Sequence, residues 1–312
     1  MTDEIQRAAI EAAAARVAPH VRRTPVIDLA AGTFEGVGFP LTLKLECLQV
    51  TASFKPRGAF NRMLSAAVPA AGVIAASGGN HGIAVAHAAK TLGHRAEIFV
   101  PEVISPAKVA RLRELGAAVN ITGKVYGDAL AASEKRAAET GALVLHAYDQ
   151  PEILAGQGTV AREFEAQTPG LDTVLVAVGG GGLIGGMAAW YRGQTKLVAV
   201  EPRTSRALDA ALQAGKPVDV DVSGVAADSL GARRIGALMF PLAQRFVARV
   251  ALVEDAEIVA AQKALWRALR IVAEPGGAAA LAAVLSGRYA PAPGERVGVL
   301  VCGANCDPGS VA

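Results

Sequence analysis

Residues 51–58 read Thr-Ala-Ser-Phe-Lys-Pro-Arg-Gly, and the lysine in this stretch, Lys55, has unusual neighbours. It lies between an aromatic residue and a proline rather than among other charges. Proline is favoured in the first turn of a helix, so Pro56 indicates a helix start, with Ser53 or Thr51 as its cap. The positive end of the helix dipole lowers the pKa of a lysine placed there. A partly neutral lysine can form a Schiff base with a carbonyl compound, whereas an ordinary surface lysine is the alternative interpretation of this stretch alone.

The composition predicts a globular protein built from helices and sheets. Of the 312 residues, 52% are hydrophobic and 19% are charged, as in chains that bury a large core. Alanine supplies much of the apolar content and aromatic residues make up only 4%, which favours a helix-rich α/β protein over a β-sandwich. The net charge of +3 is spread along the chain without a basic cluster interleaved with aromatic residues. We therefore expect no nucleic-acid partner.

The cysteine count and the N-terminus both bear on the compartment. Cys47, Cys302 and Cys306 are an odd number of cysteines in a mid-sized chain, which suits a reducing compartment better than a disulfide framework. Residues 1–7 are charged and lead into an alanine-rich helix, unlike a signal peptide. No window approaches the roughly 18 uninterrupted apolar residues of a membrane span. We expect a cytoplasmic protein with no membrane contact.

Apolar strands alternate with helical segments along most of the chain, a pattern typical of parallel sheets. A further helix start is predicted at 156–158, where glycines flank a glutamine. Two glycine-rich turns, at 77–82 and 179–186, each follow a predicted strand and lie about a hundred residues apart, which indicates two lobes with a cleft between them. The predicted strands are 41–46, 72–76, 95–100, 117–121, 143–146, 173–178, 196–201, 250–253 and 297–301.

The second glycine turn contains four consecutive glycines, Gly179 to Gly182, directly after an apolar strand. Each glycine loses more backbone entropy on folding than any other residue, so such a run indicates that something approaches the backbone closely. A phosphate at the start of the following helix is the obvious candidate. A loop that only requires positive φ angles is the plainer alternative.

The same segment also fits a dinucleotide-binding fingerprint. Gly180, Gly182 and Gly185 have the spacing G-x-G-x-x-G, and Glu201 ends the next strand, where a ribose-binding acid would lie. On this segment alone an NAD-dependent dehydrogenase is a fair interpretation. The position of the motif past mid-chain, the other glycine turn at 77–82 and the lysine stretch all weigh against hydride transfer.

Four separated segments together resemble the serine/threonine dehydratase family of pyridoxal phosphate enzymes, which has the tryptophan-synthase-β fold, fold type II. The resemblance covers nearly the whole chain. It implies a two-lobed α/β protein with the cofactor in the cleft between the lobes. The segments are Ser53–Ala59 (Ser-Phe-Lys-Pro-Arg-Gly-Ala), Ser77–Gly82 (Ser-Gly-Gly-Asn-His-Gly), Gly179–Gly182 and Cys302–Asn305 (Cys-Gly-Ala-Asn). Residues 1–48 and 149–312 would form the large cofactor-binding domain, and residues 49–148 the small domain.

The resemblance also implies roles for individual residues. Lys55 would carry pyridoxal 5′-phosphate as a Schiff base and then remove the Cα proton of the substrate. Phe54 would pack beside the cofactor ring, and Asn80 would hydrogen-bond the 3′ oxygen of the cofactor. The implied cofactor-binding residues are Lys55, Phe54, Asn80, Gly179, Gly180, Gly181, Gly182, Leu183 and Cys302, and the implied substrate-binding residues are Ser77, Asn80, His81 and Tyr148.

Cys302 matches the family position that faces the pyridine nitrogen of the cofactor, and its chemistry bears on the reaction. A thiol, with an ordinary pKa of about 8.5, cannot keep the pyridinium protonated as an aspartate would. The ring is then a weaker electron sink, which favours prompt expulsion of a β-substituent and disfavours transamination.

The residue opposite the lysine bears on the choice between elimination and racemisation. Gly78 occupies the position where family racemases have a serine that acts on the face opposite the lysine. We therefore expect dehydration and deamination of L-threonine, L-serine or a related β-hydroxy amino acid to a 2-oxo acid and ammonia. A racemase of the serine racemase type is the alternative, and 3-hydroxyaspartate and bulkier β-hydroxy amino acids are further candidate substrates.

Glu201 resembles a ligand for a divalent cation, magnesium or calcium, in some members of the family. Ser205 would offer a carbonyl oxygen, but the third ligand position holds Ala207 instead of an acid. Because such cations require several oxygen ligands, this departure argues against a metal. Glu274 resembles a helix-capping acid near the active site, for which a purely structural role is equally consistent. The expected partners are a small amino-acid substrate and a second copy of the chain, since dimers are the commonest oligomers.

Overall fold

The computed structural model describes residues 5–311 of the chain. Helices and strands alternate along it, which confirms the predicted α/β class. The helices are α1 (Arg7–Val17), α2 (Lys55–Leu64), α3 (Asn80–Leu92), α4 (Pro106–Glu114), α5 (Tyr126–Thr140), α6 (Pro151–Gln167), α7 (Gly182–Tyr191), α8 (Ala207–Ala214), α9 (Ala227–Leu230), α10 (Phe240–Phe246), α11 (Asp255–Leu269) and α12 (Pro275–Leu285). The strands are β1 (Val26–Leu29), β2 (Leu41–Leu45), β3 (Val73–Ala76), β4 (Ala96–Val100), β5 (Ala118–Ile121), β6 (Leu143–Val144), β7 (Thr173–Ala177), β8 (Lys196–Pro202), β9 (Val247–Val253) and β10 (Val297–Val301).

The larger of the two sheets has the strand order β1-β2-β10-β7-β8-β9. Strand β1 is antiparallel to β2, and every other neighbouring pair is parallel. All residues of β2, β7 and β10 are buried. Near-continuous apolar strands of this kind are typical of a parallel sheet covered on both faces.

The smaller sheet has the order β5-β4-β3-β6 and is parallel throughout. Its strands come from residues 73–144, whereas the strands of the larger sheet come from residues 26–45 and 173–301. This partition supports the predicted domain boundaries, which stay a proposal.

Among the described residues no helix combines the length and the apolar character needed to cross a membrane.

The cap predicted for helix α2 is wrong. Phe54 is the N-cap residue, and its side chain makes no capping hydrogen bond. The buried hydroxyl groups of Ser53 and Thr51 have no hydrogen-bond partner in the part of the chain that the structure describes. Ser53 is extended and pairs with Gly303, so the chain enters the helix from an isolated β-bridge rather than from a capping turn.

The helix start predicted at residues 156–158 is also wrong, because these residues lie inside α6. A Cβ atom on Gly156 would lie 2.6 Å from the carbonyl oxygen of Arg57, and one on Gly158 would lie 2.8 Å from that of Gly186. The two glycines therefore allow α2 and α7 to pack closely against α6. Close helix packing, not a helix terminus, explains their presence.

Candidate active site

The loop that precedes Lys55 has a strained backbone. Thr51 and Ala52 have φ angles of 60° and 58°, in the left-handed region that non-glycine residues seldom adopt. Each such residue costs roughly 1–2 kcal/mol, so other contacts must hold the conformation. The segment after β10 provides them: the Ala304 backbone N–H donates to the Ala52 carbonyl, and Asn305 Nδ2 donates to the Thr51 carbonyl, both at 2.8 Å.

A buried ion cluster fixes the start of α2 on the other side of Lys55. The Arg57 guanidinium donates to both carboxylate oxygens of Glu46, from Nε and Nη2, each at 2.8 Å. Arg57 Nη2 also lies 3.1 Å from Glu163, whose carboxylate accepts a hydrogen bond from the buried Lys44. Charged groups this deep are stable only when they are paired. The cluster thereby ties α2 to β2 and α6.

A cleft of about 480 Å³, including its solvent-open part, brings the separated motifs together. Residues at the carboxyl ends of strands or in the loops that follow them form most of its wall, as is usual for ligand sites in parallel sheets. The residues that line the cleft include Phe54, Lys55, Asn80, Tyr148, Gly179, Gly180, Gly181, Gly182, Leu183, Glu274 and Cys302.

Lys55 points its amine into this cleft. Its Nζ donates a 2.7 Å hydrogen bond to the Ala147 carbonyl and lies 5.2 Å from the centroid of the Phe54 ring. Burial lowers the pKa of the Lys55 amine from 10.5 to about 8, although the neighbouring Cys302 and Glu274 oppose the shift. At pH 7 roughly a tenth of the amine is then neutral, compared with less than about one part in a thousand for an unperturbed lysine. Lys55 is therefore a competent nucleophile and base.

The glycine run forms the wall that meets the start of α7. Gly181 is the N-cap residue of this helix with φ = 89°, which favours glycine. The first N–H groups of a helix have no partner within it, so those at the start of α7 are available to an anion. With no side chain in the way, the phosphate of pyridoxal 5′-phosphate fits this helix terminus, and its aldehyde fits the amine of Lys55.

Tyr148 packs directly on the glycine run, and its surroundings make it part of the wall. A Cβ atom at Gly180 would lie 2.3–2.4 Å from carbons of the Tyr148 ring. The Tyr148 hydroxyl donates to the Arg234 carbonyl at 3.2 Å, and burial raises its pKa to about 12. The neighbouring Asp149 accepts hydrogen bonds from the backbone N–H groups of Ala237 and Leu238, each at 2.9 Å. These hydrogen bonds hold the 234–238 loop next to the glycine run.

Replacing Gly180 with alanine should weaken cofactor binding about tenfold or more, because the new methyl group requires the Tyr148 ring or the glycine run to shift. A titration of the apoprotein with pyridoxal 5′-phosphate, followed by absorbance, measures the effect. The matched control is Gly127→Ala in α5, where a Cβ atom would meet nothing within 4 Å. A Gly180→Ala protein with the wild-type dissociation constant would show that the close packing has no role in binding.

Cys302 and Glu274 place two buried acids in the wall of the cleft. The thiol of Cys302 donates to the Gly276 carbonyl at 3.4 Å, and burial raises its pKa, so the sulfur stays protonated. Glu274 is only 5% exposed, and burial raises its pKa to about 7 even though Asn80 Nδ2 donates to its Oε1. The sequence left the role of Glu274 open, because burial of its carboxyl group beside the cleft is not visible in a sequence.

Neither Ser77 nor His81 is among the residues that line the cleft. Ser77 Oγ accepts a hydrogen bond from the Gly79 backbone N–H at 3.3 Å. The His81 ring is buried and its Nε2 lies 2.9 Å from the Leu145 carbonyl, which can only accept, so Nε2 carries the proton. Burial, with the positive charge of Lys55, lowers the pKa of His81 to about 3, and the ring is neutral. Their predicted contact with substrate would therefore depend on backbone N–H groups.

Glu201 lies outside the residues that line the cleft and caps a helix instead. Its two carboxylate oxygens accept hydrogen bonds from the backbone N–H groups of Leu208 and Asp209, at 2.8 and 2.9 Å. These N–H groups belong to the first turn of α8, and burial raises the pKa of Glu201 to about 8. Within residues 5–311 no group of three His, Cys, Asp or Glu side chains could hold a metal ion. Glu201 therefore has a structural role as the cap of α8.

Comparison with known proteins agrees with this geometry. The family model described as pyridoxal-phosphate dependent enzyme matches residues 17–303. An L-threonine ammonia-lyase from Geobacter sulfurreducens is 39% identical over 303 residues, covering 96% of this chain and 75% of that protein. The structure of maize serine racemase matches with a TM-score of 0.91 and 32% identity, covering 99% of this chain and 96% of that one. A threonine deaminase from T.th. matches with a TM-score of 0.89 and 33% identity, covering 97% of this chain and 99% of that one.

These matches confirm the predicted fold class, fold type II, and the resemblance found in the four sequence motifs. The family model extends from the last residue of α1 to Gly303, so it includes the lysine stretch, both glycine turns and the first two residues of the Cys302–Asn305 motif. The chain belongs to the family of pyridoxal-phosphate-dependent enzymes.

Proposed function

We propose that the protein catalyses β-elimination from L-threonine, L-serine or a related β-hydroxy amino acid, releasing a 2-oxo acid and ammonia, with pyridoxal 5′-phosphate as cofactor. One observation carries the proposal: an amine whose pKa is lowered to about 8 shares a cleft with a bare helix N-terminus and a protonated thiol. The similarity to a threonine ammonia-lyase and to a threonine deaminase supports the same reaction.

The residues present fit the cofactor. When bound, pyridoxal 5′-phosphate supplies an electron sink for the charge left on Cα. Lys55 would hold its aldehyde carbon and Phe54 would lie beside its ring. The glycine run Gly179–Gly182 and the Leu183 N–H would bind its phosphate. Asn80 would donate to its ring oxygen and Cys302 would face its nitrogen.

Lys55 would act as the base after the amine of the substrate has replaced it on the aldehyde carbon of the cofactor. Its lowered pKa leaves a fraction of the amine neutral near pH 7, and the Ala147 carbonyl orients Nζ. The amine takes the Cα proton, the Cβ–O bond breaks, and the hydroxyl leaves as water after protonation. Cβ then takes up a proton and water replaces nitrogen at Cα, so the products are a 2-oxo acid and ammonia with no net consumption of water. Cys302 keeps its proton and donates a hydrogen bond to the Gly276 carbonyl, so this residue supplies no negative charge that would hold a proton on the ring nitrogen.

The substrate would be held at the loop after β3. Its carboxylate would bind to backbone N–H groups at the start of α3, in the stretch of Ser77, Asn80 and His81, where the helix dipole favours an anion. Tyr148 would act as a wall, because the structure ties its hydroxyl to the Arg234 carbonyl.

Racemisation is the second candidate, since the structure of maize serine racemase is similar to this one. Gly78 argues against it. The position has no side chain that could carry a proton, and a Cβ atom there would lie 2.5 Å from Cδ1 of Ile104. Ile104 therefore fills the space beside Gly78. The dehydrogenase alternative loses its ribose-binding acid, because both oxygens of Glu201 cap α8.

A panel of L-threonine, L-serine, 3-hydroxyaspartate and a phenyl-substituted serine tests the proposal. We expect release of a 2-oxo acid and ammonia in equal amounts from at least one of them, with the remaining substrate still in the L form. Accumulation of the D enantiomer without ammonia would favour the racemase. A colourless protein that binds a nicotinamide nucleotide would contradict both.

The rate at which the apoprotein takes up pyridoxal 5′-phosphate should rise with pH and level off above about pH 8. The reacting species is the neutral Lys55 amine, and its fraction falls about tenfold for each pH unit below a pKa that is lowered from 10.5 to about 8. Stopped-flow absorbance between pH 6 and 10 measures this profile. A rate that keeps rising up to pH 10 would contradict the lowered pKa.

We further propose that the protein works in the cytoplasm as a homodimer, and that its domains divide after residues 48 and 148. Light scattering coupled to size-exclusion chromatography checks the dimer. Contacts between residues on the two sides of the proposed boundaries include the ion pair of Lys108 with Asp228 and the hydrogen bond from the Tyr148 hydroxyl to the Arg234 carbonyl.

A further inference from the structure

A chain of side-chain amides runs behind the cleft and ends at Glu274. Asn305 Nδ2 donates one hydrogen bond to the Thr51 carbonyl and another to Asn80 Oδ1, at 2.8 and 2.5 Å. Asn80 Nδ2 in turn donates to Glu274 Oε1. Asn80 lines the cleft, and both ends of its side-chain amide are engaged.

The direction of these hydrogen bonds is fixed, because one end of the series is a group that can only accept. The Thr51 carbonyl can only accept a hydrogen bond, so the Asn305 atom facing it must be the nitrogen. The same nitrogen has a second N–H, which requires an acceptor in Asn80 and places Asn80 Oδ1 against it. The Asn80 nitrogen then faces Glu274, whose carboxylate accepts. One N–H of Asn80 is left over.

We infer that Asn305 is a positioning residue that makes Asn80 a hydrogen-bond donor towards the cleft and so selects a ligand with an electron-rich oxygen at that point. The inference rests on the proposed function, because the ring oxygen of pyridoxal 5′-phosphate is the ligand atom concerned. If Asn80 rotated by 180°, it would present a carbonyl oxygen instead and repel that atom. Asn305 belongs to the Cys-Gly-Ala-Asn motif, from which sequence reasoning used only Cys302.

Asn305 also stabilises the loop that precedes Lys55. Its hydrogen bond to Thr51 holds the first of the two residues with positive φ that precede Lys55. One side chain thus sets both the loop that presents the lysine and the amide on the wall of the cleft. Loss of Asn305 should therefore affect cofactor binding more than a surface hydrogen bond would.

The first test is Asn305→Asp, which keeps the shape but removes both N–H groups. The new carboxylate faces the Thr51 carbonyl and Asn80 Oδ1, so the Asn80 amide should rotate. We expect the dissociation constant for pyridoxal 5′-phosphate to rise about tenfold or more and the absorbance of the bound cofactor to shift. The control is Asn120→Asp, the same chemical change on β5 at a residue outside the cleft lining; its dissociation constant should stay at the wild-type value.

The second test reverses the direction of the hydrogen bonds between residues 305, 80 and 274. In the double variant Asn305→Asp with Glu274→Gln, a rotated Asn80 can donate to the new carboxylate at position 305 and accept from the new amide at position 274. Part of the melting temperature lost in the single variant should return, because the Asn80 hydrogen bonds are paired again. Cofactor affinity should stay low, because Asn80 still presents the wrong atom. A purely structural role for Asn305 requires both quantities to return together.

The outcomes separate cleanly. Wild-type affinity in Asn305→Asp, or recovery of affinity along with melting temperature in the double variant, would overturn the inference while leaving the proposed function intact. If Asn305→Asp does not fold, Asn305→Ser replaces it. This change removes the side-chain amide of residue 305 without adding a charge, and its cofactor affinity is compared with that of the wild type in the same way. Wild-type protein that takes up no pyridoxal 5′-phosphate would overturn the proposed function and this inference with it.

Discussion

Replacing Lys55 with alanine should lower the rate of 2-oxo acid release by about 10³- to 10⁴-fold and abolish covalent attachment of the cofactor. A positioned base contributes about 10²–10⁴ to a rate, and this amine also holds the aldehyde. The remaining walls of the cleft, including the glycine run, are unchanged, so weak non-covalent binding of the cofactor should persist. Product release is measured by a coupled assay. Borohydride reduction followed by mass spectrometry of the peptide that contains residue 55 measures attachment.

The matched control is Lys263→Ala, which removes an exposed lysine on α11. It should keep the wild-type rate and the wild-type absorbance. If Lys55→Ala retained turnover, or if the reduced cofactor were found on another lysine, the mechanism would be wrong. Lys44 is the main alternative site of cofactor attachment, because it is also buried. Its amine, however, is hydrogen-bonded to Glu163, Gln167 and the Thr24 carbonyl.

Replacing Arg57 with methionine should lower the free energy of unfolding by about 3–5 kcal/mol, the usual effect of removing one partner from a buried ion cluster. The change leaves the carboxylate of Glu46 fully buried without its ion-pair partner, whereas Glu163 keeps its ion pair with Lys44. The melting temperature, measured by differential scanning calorimetry with cofactor bound, should fall by several degrees. Cofactor binding should weaken as well, because Arg57 anchors the first turn of the helix that carries Lys55.

The chain offers a close control in Arg136, which forms the same two-pronged contact with Glu97 at 3.0 and 3.1 Å but at the surface. Because exposed ion pairs contribute little, Arg136→Met should leave the melting temperature nearly unchanged. Adding Glu46→Gln to Arg57→Met should recover part of the loss by removing the unpaired charge. Equal melting temperatures for Arg57→Met and the wild type would show that the buried cluster does not hold α2 in place.

Several residues of the candidate site could be predicted because their chemistry requires particular residue types next to one another in the sequence. The glycine run is one, since Gly181 with φ = 89° and Gly180 beside the Tyr148 ring both require a residue without a side chain. Lys55 is another, although the reason first given for its lowered pKa was the helix dipole, whereas burial is the larger cause in the structure. The glycines at 156 and 158 resemble a helix start in the sequence but lie inside α6, where they permit close packing of neighbouring helices.

Other features depend on contacts between segments far apart in the chain. Glu201 stands where the sequence allows a ribose-binding acid or a metal ligand, and only the position of α8 shows that it caps a helix. Glu274 and Asn305 lie in segments that the resemblance marks, but their role depends on Asn80, which lies 194 residues from the first and 225 from the second. The ion cluster likewise joins Glu46 and Arg57 to Glu163.

The sequence by itself determined the alternation of strands and helices, the two glycine turns and the lysine stretch, because short-range periodicity and backbone restrictions act within a few neighbouring residues. The tertiary structure alone decided which acids are buried, which way the amide of Asn80 points and what surrounds the amine of Lys55. Burial and hydrogen-bond direction are set by atoms that meet only after the chain has folded, and these are the quantities that fix a pKa and the polarity of a binding site.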